Sequence, residues 1–304
     1  MRYIKNTNNY VHIPDNYEQC FIRDNFAPVN RGVLMQIKAK GVIDNDDIKI
    51  TEFIYRVGFA TIEQIERYCD MLGIEEAQNR VSALCKYMVL SDFVFTDIEN
   101  YKGVYPPDIK MFYCLQEGGR YLLEQFSGLT LIEWEQAYNL RCSRNIGKAL
   151  ILTEFYLDFL SIKSDLTFYT RNPFYVFKKN QLKGGATYGV NTSKGTVYTL
   201  VDVIRKSETL DGIREKLRRY ESLLSTKIWR HYYPDGIETP TLIIITDTDE
   251  SALLLAKEIA IMKIPSFLVS TDERILKGIG DVGAFLQYNA DEETLYEASY
   301  FNFE

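Results

Sequence analysis

An apolar run, VYTLVDVI, carries a single carboxylate, Asp202, and leads through a polar stretch into a helical pattern holding Lys216 and, one turn on, Tyr220. A strand-end carboxylate with a lysine near it belongs to the residue set of metal-dependent phosphodiester hydrolysis. Carboxylates hold a Mg²⁺ ion, and the lysine positions or deprotonates the attacking water. That chemistry requires at least two carboxylates fixed on adjacent elements. Residues 166–201 contain no Asp or Glu, so the preceding hairpin ATYGVNTSKGTVYTL cannot supply the second one. Two positions beyond Asp202 stands Ile204, followed by Arg205, so the strand itself adds no lysine beside the carboxylate. Glu154, on the helical run IGKALILTEFYLDFLSIK, is the remaining carboxylate able to approach. We therefore assign no catalytic residues and no metal or cofactor, and read Asp202, Arg205 and Glu154 as degenerate positions. Asp202 is expected to pair with Arg205 or with a helix N-terminus.

A second set of residues has the chemistry of base and phosphate recognition. The run EEAQNRVSALCKYMVL places Glu76, Gln78, Asn79, Arg80, Ser82 and Lys86 on the outward side of a helix. Gln, Asn, Arg, Ser and Lys are the side chains that read base edges and phosphates. Glu75 and Glu76 at its start favour the helix dipole but repel phosphate. Contact with DNA would therefore need help from Lys102 and Lys110 in the following loop, from a basic N-terminal segment (Arg2, Lys5, Arg23, Arg31, Lys38, Lys40), or from dimerisation.

The elements that must hold these side chains can be read from periodicity. Residues 1–45 are expected to form an N-terminal arm, with RGVLMQIKAKG suggesting a short strand at residues 32–40. DDIKITEFIYRVG sets Ile48, Phe53, Ile54 and Val57 on one stripe and stops at Gly58. Thr61 caps IEQIERYCDMLG with Gln64 at capping-box spacing, and a tight turn at Gly73-Ile74 leads into the polar-faced helix. LSDFVFTD and KMFYCLQ flank a polar loop as a wing, and EGGRYLLEQFSG closes a winged helix over residues 46–127. Residues 128–145 form a linker whose apolar side chains are expected to pack on both halves. Residues 146–304 then give a helix, the strands LTFYT, FYVFK, ATYGVN and TVYTLVDVI, a long helix, and the alternation TPTLIIITD, ESALLLAKEIAIMK, IPSFLVSTD, ERILKG. This alternation predicts an α/β domain with a central mixed sheet, in a chain that is mixed α+β overall.

A winged helix followed by this order of elements resembles the replication-relaxation family of plasmids and conjugative elements. In that family the second domain is similar to the PD-(D/E)xK nuclease fold, with an acidic strand end, a threonine and a Lys-xxx-Tyr helix. Asp202, Thr209, Lys216 and Tyr220 stand at the matching positions. The resemblance implies double-stranded DNA and other mobile-element proteins as partners, and a role in replication, mobilisation or transcription control. A protein-interaction scaffold whose winged helix does not touch DNA is the alternative, and a metal-dependent nuclease a further one.

Composition narrows the remaining classes. The chain has 304 residues, 46% hydrophobic and 25% charged, enough for two buried cores. No long apolar run and no apolar leader block occur, so a cytoplasmic protein without membrane insertion is expected. Five cysteines, without a CxxC pair, read as reduced buried thiols, and His12 and His231 lack metal-site spacing. The formal net charge is −7, and only residues 1–41, with six Lys/Arg against three Asp/Glu, are basic. Lys178, Lys179 and Lys183 beside Gly184-Gly185 lack phosphate-loop spacing and read as a basic hairpin tip, and Asp247 and Asp249 in TDTDES read as helix caps.

Overall fold

The computed structural model describes residues 2–6, 9–13, 20–22, 29–95, 111–129, 134, 146–162, 166–177 and 180–300. They belong to two compact units, Met1–Thr153 and Glu154–Glu304.

In the first unit, β1 (Arg2–Asn6) and β2 (Asn9–Ile13) form an antiparallel hairpin, and β3 (Cys20–Ile22) joins a larger sheet. The strand expected at residues 32–40 is instead a helix, α1 (Arg31–Ala39). Asn30 caps it by accepting the Val33 N–H, and Leu34 is the residue it buries, a helical requirement that the apparent alternation concealed. Next, α2 (Asn45–Val57) starts from a reciprocal capping box between Asp44 and Asp47 and buries Ile48, Ile50, Phe53, Ile54 and Val57. A short strand β4 (Phe59–Thr61) intervenes before α3 (Ile62–Leu72), which begins on the Thr61–Gln64 box and ends at Gly73, where φ is 66°. The polar-faced helix α4 (Ala77–Lys86) is shorter than its sequence pattern. Glu76 sits at φ 58° before it, and Met88, at φ 55°, turns the chain into β5 (Leu90–Phe95). Then β6 (Met111–Leu115) and α5 (Glu117–Phe126) follow. The sheet order is β3-β5-β6-β4, with antiparallel pairings throughout. Helix, strand, two tightly joined helices, hairpin and closing helix are the elements of a winged helix.

Several expectations fall outside the described residues: the wing loop with Lys102 and Lys110, Arg23 of the arm, most of the linker at 128–145, and the hairpin tip at Lys178-Lys179. The side chains of Arg2 and Lys5 fall outside them too.

The second unit takes in the later part of α6 (Ile146–Ile162), then β7 (Leu166–Arg171), the hairpin β8 (Phe174–Phe177) with β9 (Asn180–Lys183), β10 (Ala186–Thr192) and β11 (Gly195–Val203). It continues through α7 (Leu210–Ser225), α8 (Trp229–Tyr232), β12 (Thr241–Thr246), α9 (Asp249–Ile261), β13 (Phe267–Thr271), α10 (Asp272–Lys277), β14 (Phe285–Asn289) and β15 (Thr294–Ala298). A seven-stranded mixed sheet runs β15-β14-β13-β12-β11-β10-β7, with β11, β12 and β13 parallel and the flanking pairs antiparallel. The parallel strands are apolar on both faces, as burial under helices demands. On one face Leu200, Ile204, Leu242 and Ile244 pack with Leu217 and Leu223 of α7 and Leu255 and Ile259 of α9. Phe155 and Phe159 of α6 lie against Tyr188 in β10, with ring centroids 5.1 and 5.0 Å away. The fold is therefore a winged helix plus an α/β unit with a central mixed sheet. The sequence carries no clear signal for the terminal hairpin β14–β15, because β15 is largely exposed and has little periodicity. Among the described residues, no helix is long and apolar enough to cross a membrane.

Candidate functional site

Two groups of side chains bear on function, one in each unit. In the second unit, period-two alternation along β11 puts Asp202 on the same face as Leu200 and Ile204, under α7. The four-residue spacing of Lys216 and Tyr220 puts both on one side of that helix. The result is a shared acceptor. Asp202 Oδ2 lies 2.6 Å from Lys216 Nζ and accepts a 2.6 Å hydrogen bond from the Tyr220 hydroxyl. Its Oδ1 accepts the Val203 N–H at 2.8 Å. Asp202 is 3% exposed and the Tyr220 ring 1%, so water does not replace these bonds. Burial, reinforced by the Asp202 charge, pushes the Tyr220 phenol well above its usual range. Thr209 caps α7 by accepting the Gly212 N–H, which fixes where the helix begins and hence where Lys216 lands.

The expected Asp202–Arg205 pair does not form. The Arg205 guanidinium lies 2.7 Å from Asp272 and 3.5 Å from Asp247. The reason is topological: Arg205, Asp247 and Asp272 follow the carboxyl ends of three neighbouring parallel strands and gather there, whereas Asp202 lies further back under α7. Nor does Glu154 supply any of the contacts that hold Asp202. Among the described residues, no three His, Cys, Asp or Glu side chains are grouped to hold a metal ion. Asp247 accepts the Lys206 N–H and Asp249 pairs with Arg274, while the cap of α9 is Thr248, in place of the aspartates expected from the sequence.

Nearby, Tyr175, Thr187 and Tyr233 close a triangle of buried hydroxyls at 2.7 to 3.0 Å. Asp235 accepts from Tyr198 at 2.9 Å and from Thr196 at 2.7 Å. Burial and the Asp235 bond push the Tyr198 phenol up to about 12.

In the first unit, α4 turns Ala77, Val81 and Leu84 inward and leaves Gln78, Asn79, Ser82 and Lys86 exposed. Arg80, expected to face outward, does not. Its guanidinium bonds Asp44 and Asp47, each at 3.0 Å, and the backbone carbonyl of Glu75. Burial raises the Asp44 carboxyl, but the Asp47 backbone N–H and Arg80 outweigh it and hold Asp44 below the ordinary range. For Asp47, burial prevails and raises it. The sequence held no signal for this cluster, because the partners lie more than thirty residues apart and become neighbours when α2 and α4 pack. Gln78 donates to Glu66 at 2.6 Å and Asn79 to Glu76 at 3.4 Å, so acidic groups border the exposed face. Lys86 stands 6.0 Å from the Tyr87 ring.

No family model matches the chain, and no curated protein matches it. Among solved structures, the restriction endonuclease FokI superposes with a TM-score of 0.29 at 16% identity, covering 77% of this chain and 42% of that one. The chain thus spans less than half the length of that enzyme, and so loose a superposition carries no argument about its fold or its chemistry.

Proposed function

We propose that the protein is a non-enzymatic DNA-binding accessory or regulatory protein. Its winged helix would contact duplex DNA through α4, and its α/β unit would serve binding or assembly. The observation that carries this reading is the solvent face of α4, where Gln78, Asn79, Ser82 and Lys86 project together from the second helix of a helix–turn–helix. Gln and Asn offer bidentate bonds to adenine, while Ser and Lys reach phosphates. With Arg80 committed to Asp44 and Asp47, the electrostatic share of binding is small. Affinity is then modest and its salt slope shallow. The non-enzymatic part rests on the donor set around Asp202, whose oxygens are engaged by Lys216, Tyr220 and the Val203 N–H. The element to which such a protein would belong, a plasmid or conjugative element, is what the resemblance to the replication-relaxation family implies.

A second reading, a protein-interaction scaffold, is favoured by the acidic border of the same face: Glu66, Glu76, Asp44 and Asp47 engage three of the side chains expected to read DNA. Fluorescence anisotropy with labelled duplexes at several salt concentrations separates the two. DNA binding predicts a measurable affinity that Asn79→Ala with Lys86→Ala weakens, the Lys86 change lowering the salt slope by roughly one. Absence of salt-sensitive binding to any duplex favours the scaffold.

A further inference from the structure

A cavity of about 320 Å³ opens in the second unit, bordered by Arg205 and Lys206 but not lined by Asp202, Lys216 or Tyr220. It lies at the carboxyl edge of β11 and β12, between α7 and α9, the position where ligands enter open α/β sheets. Its size is at the lower end of small-molecule sites. Ile204, Ile213 and Leu255 form its buried apolar wall, and Leu210 and Leu254, 51% and 66% exposed, stand at its mouth.

Two polar features give the cavity a chemical preference. Alternation along β12 places Thr246 on the face of Leu242 and Ile244, toward α7 and α9 and so toward the cavity it lines. Thr246 is 1% exposed, and its hydroxyl has no hydrogen-bond partner among the described residues. A buried hydroxyl left unpaired is costly, and a ligand oxygen would satisfy it. The charges around the cavity are otherwise committed. Arg205 is held by Asp247 and Asp272, Glu258 by a bidentate bond to Arg214, and Glu208 accepts the Arg205 N–H. The Lys206 ammonium alone among them has no partner in the described structure.

We propose that this cavity binds a small amphipathic carboxylate, its apolar body against Ile204, Ile213, Leu254 and Leu255, with an oxygen meeting the Thr246 hydroxyl and Lys206 balancing its charge. The assignment is independent of DNA binding by α4.

The test uses the full chain with two probes, the fluorescent anion 1-anilinonaphthalene-8-sulfonate and octanoate, and with octan-1-ol as a neutral control. Octanoate is expected to displace the fluorophore competitively and more effectively than octanol. Thr246→Val, which removes one neutral hydrogen bond, is expected to weaken octanoate binding roughly 2- to 10-fold. The same change should leave the melting temperature of the free protein equal or higher, because the hydroxyl it deletes is unpaired. Lys206→Gln, at an exposed site that does not threaten folding, should weaken octanoate and leave octanol unchanged. Failure of octanoate to displace the fluorophore would overturn the proposal, as would equal octanoate affinity in wild type, T246V and K206Q. A lower melting temperature for free T246V would show that the hydroxyl already has a partner, with the same consequence.

Discussion

The Lys216 ammonium and the Asp202 carboxylate stand 2.6 Å apart, joining the helix α7 to the strand β11 beneath it. The carboxylate is almost fully buried while the lysine side chain keeps 23% exposure, so removing the acid and removing the base are not equivalent. Without Asp202, the Tyr220 hydroxyl is left buried and unpaired.

Asp202→Ala is therefore expected to cost about 3 kcal/mol in urea unfolding, and Asp202→Asn, which keeps an acceptor for Tyr220, clearly less. Combining Asp202→Ala with Lys216→Met should cost less than the sum of the single changes, the signature of a direct pair. Leu217, 0% exposed beside them, should lose roughly 2 to 5 kcal/mol on change to Ala. Mg²⁺ or Mn²⁺ is expected neither to raise the melting temperature nor to promote DNA cleavage. Metal-dependent cleavage abolished by Asp202→Ala would reverse the non-enzymatic reading and point to Glu154 as a ligand.

Arg80→Ala should act on the fold of the first unit before it acts on any partner. The change strands Asp47, 5% exposed, without its cation, at a cost of about 2 kcal/mol given that Asp44 on the same guanidinium is open to water. Arg80→Lys should restore only part of this, because an ammonium cannot serve both carboxylates and the Glu75 carbonyl in one plane. Thermal unfolding measures the stability. DNA affinity per folded molecule should be unaltered, and a loss of affinity without a loss of stability would return Arg80 to the interface.

High pH should unfold the second unit steeply. Tyr175, Tyr188, Tyr198, Tyr220 and Tyr233 all have phenols raised above the ordinary value of 10.0, chiefly by burial. A raised folded-state value means that the native protein keeps protons which the unfolded chain releases. Stability is then fully present below pH 10 and falls as pH climbs through the unfolded value toward the folded one. Absorbance at 295 nm should show a class of tyrosines silent near pH 10 that ionises together with loss of the circular dichroism signal. Smooth independent titration of every tyrosine near pH 10 would contradict this.

Gly119 is required by a close approach. A Cβ built there would lie 2.4 Å from the Val89 carbonyl oxygen and 2.4 Å from Leu115 Cδ1. Because one of those atoms is backbone, Gly119→Ala must move α5 away from the start of β5, at an expected cost of roughly 1 to 3 kcal/mol. Gly147→Ala, with nothing within 4 Å, serves as the control and should be tolerated.

Local signals determined much of the architecture without help from the fold. The Thr61–Gln64 capping box, the stripe of Ile48, Phe53, Ile54 and Val57, the Gly58 and Gly73 stops, and the apolar runs of β11, β12 and β13 are properties of neighbouring residues, so they can be read along the chain. The same holds for the spacing that puts Lys216 and Tyr220 on one helix face. Tertiary structure alone decided which charges meet. It gave Asp202 to Lys216 in place of Arg205, drew Arg205 to Asp247 and Asp272 across three strand ends, and turned Arg80 from the solvent to Asp44 and Asp47. Residues 31–39 show the same limit on a smaller scale, since the cap at Asn30 and the burial of Leu34 made a helix where alternation suggested a strand. The physical reason is common to all of these. Backbone preference acts within one turn of helix or one pair of strand residues, whereas a long, flexible charged side chain takes whichever opposite charge packing brings within reach, and burial then makes that choice costly to reverse.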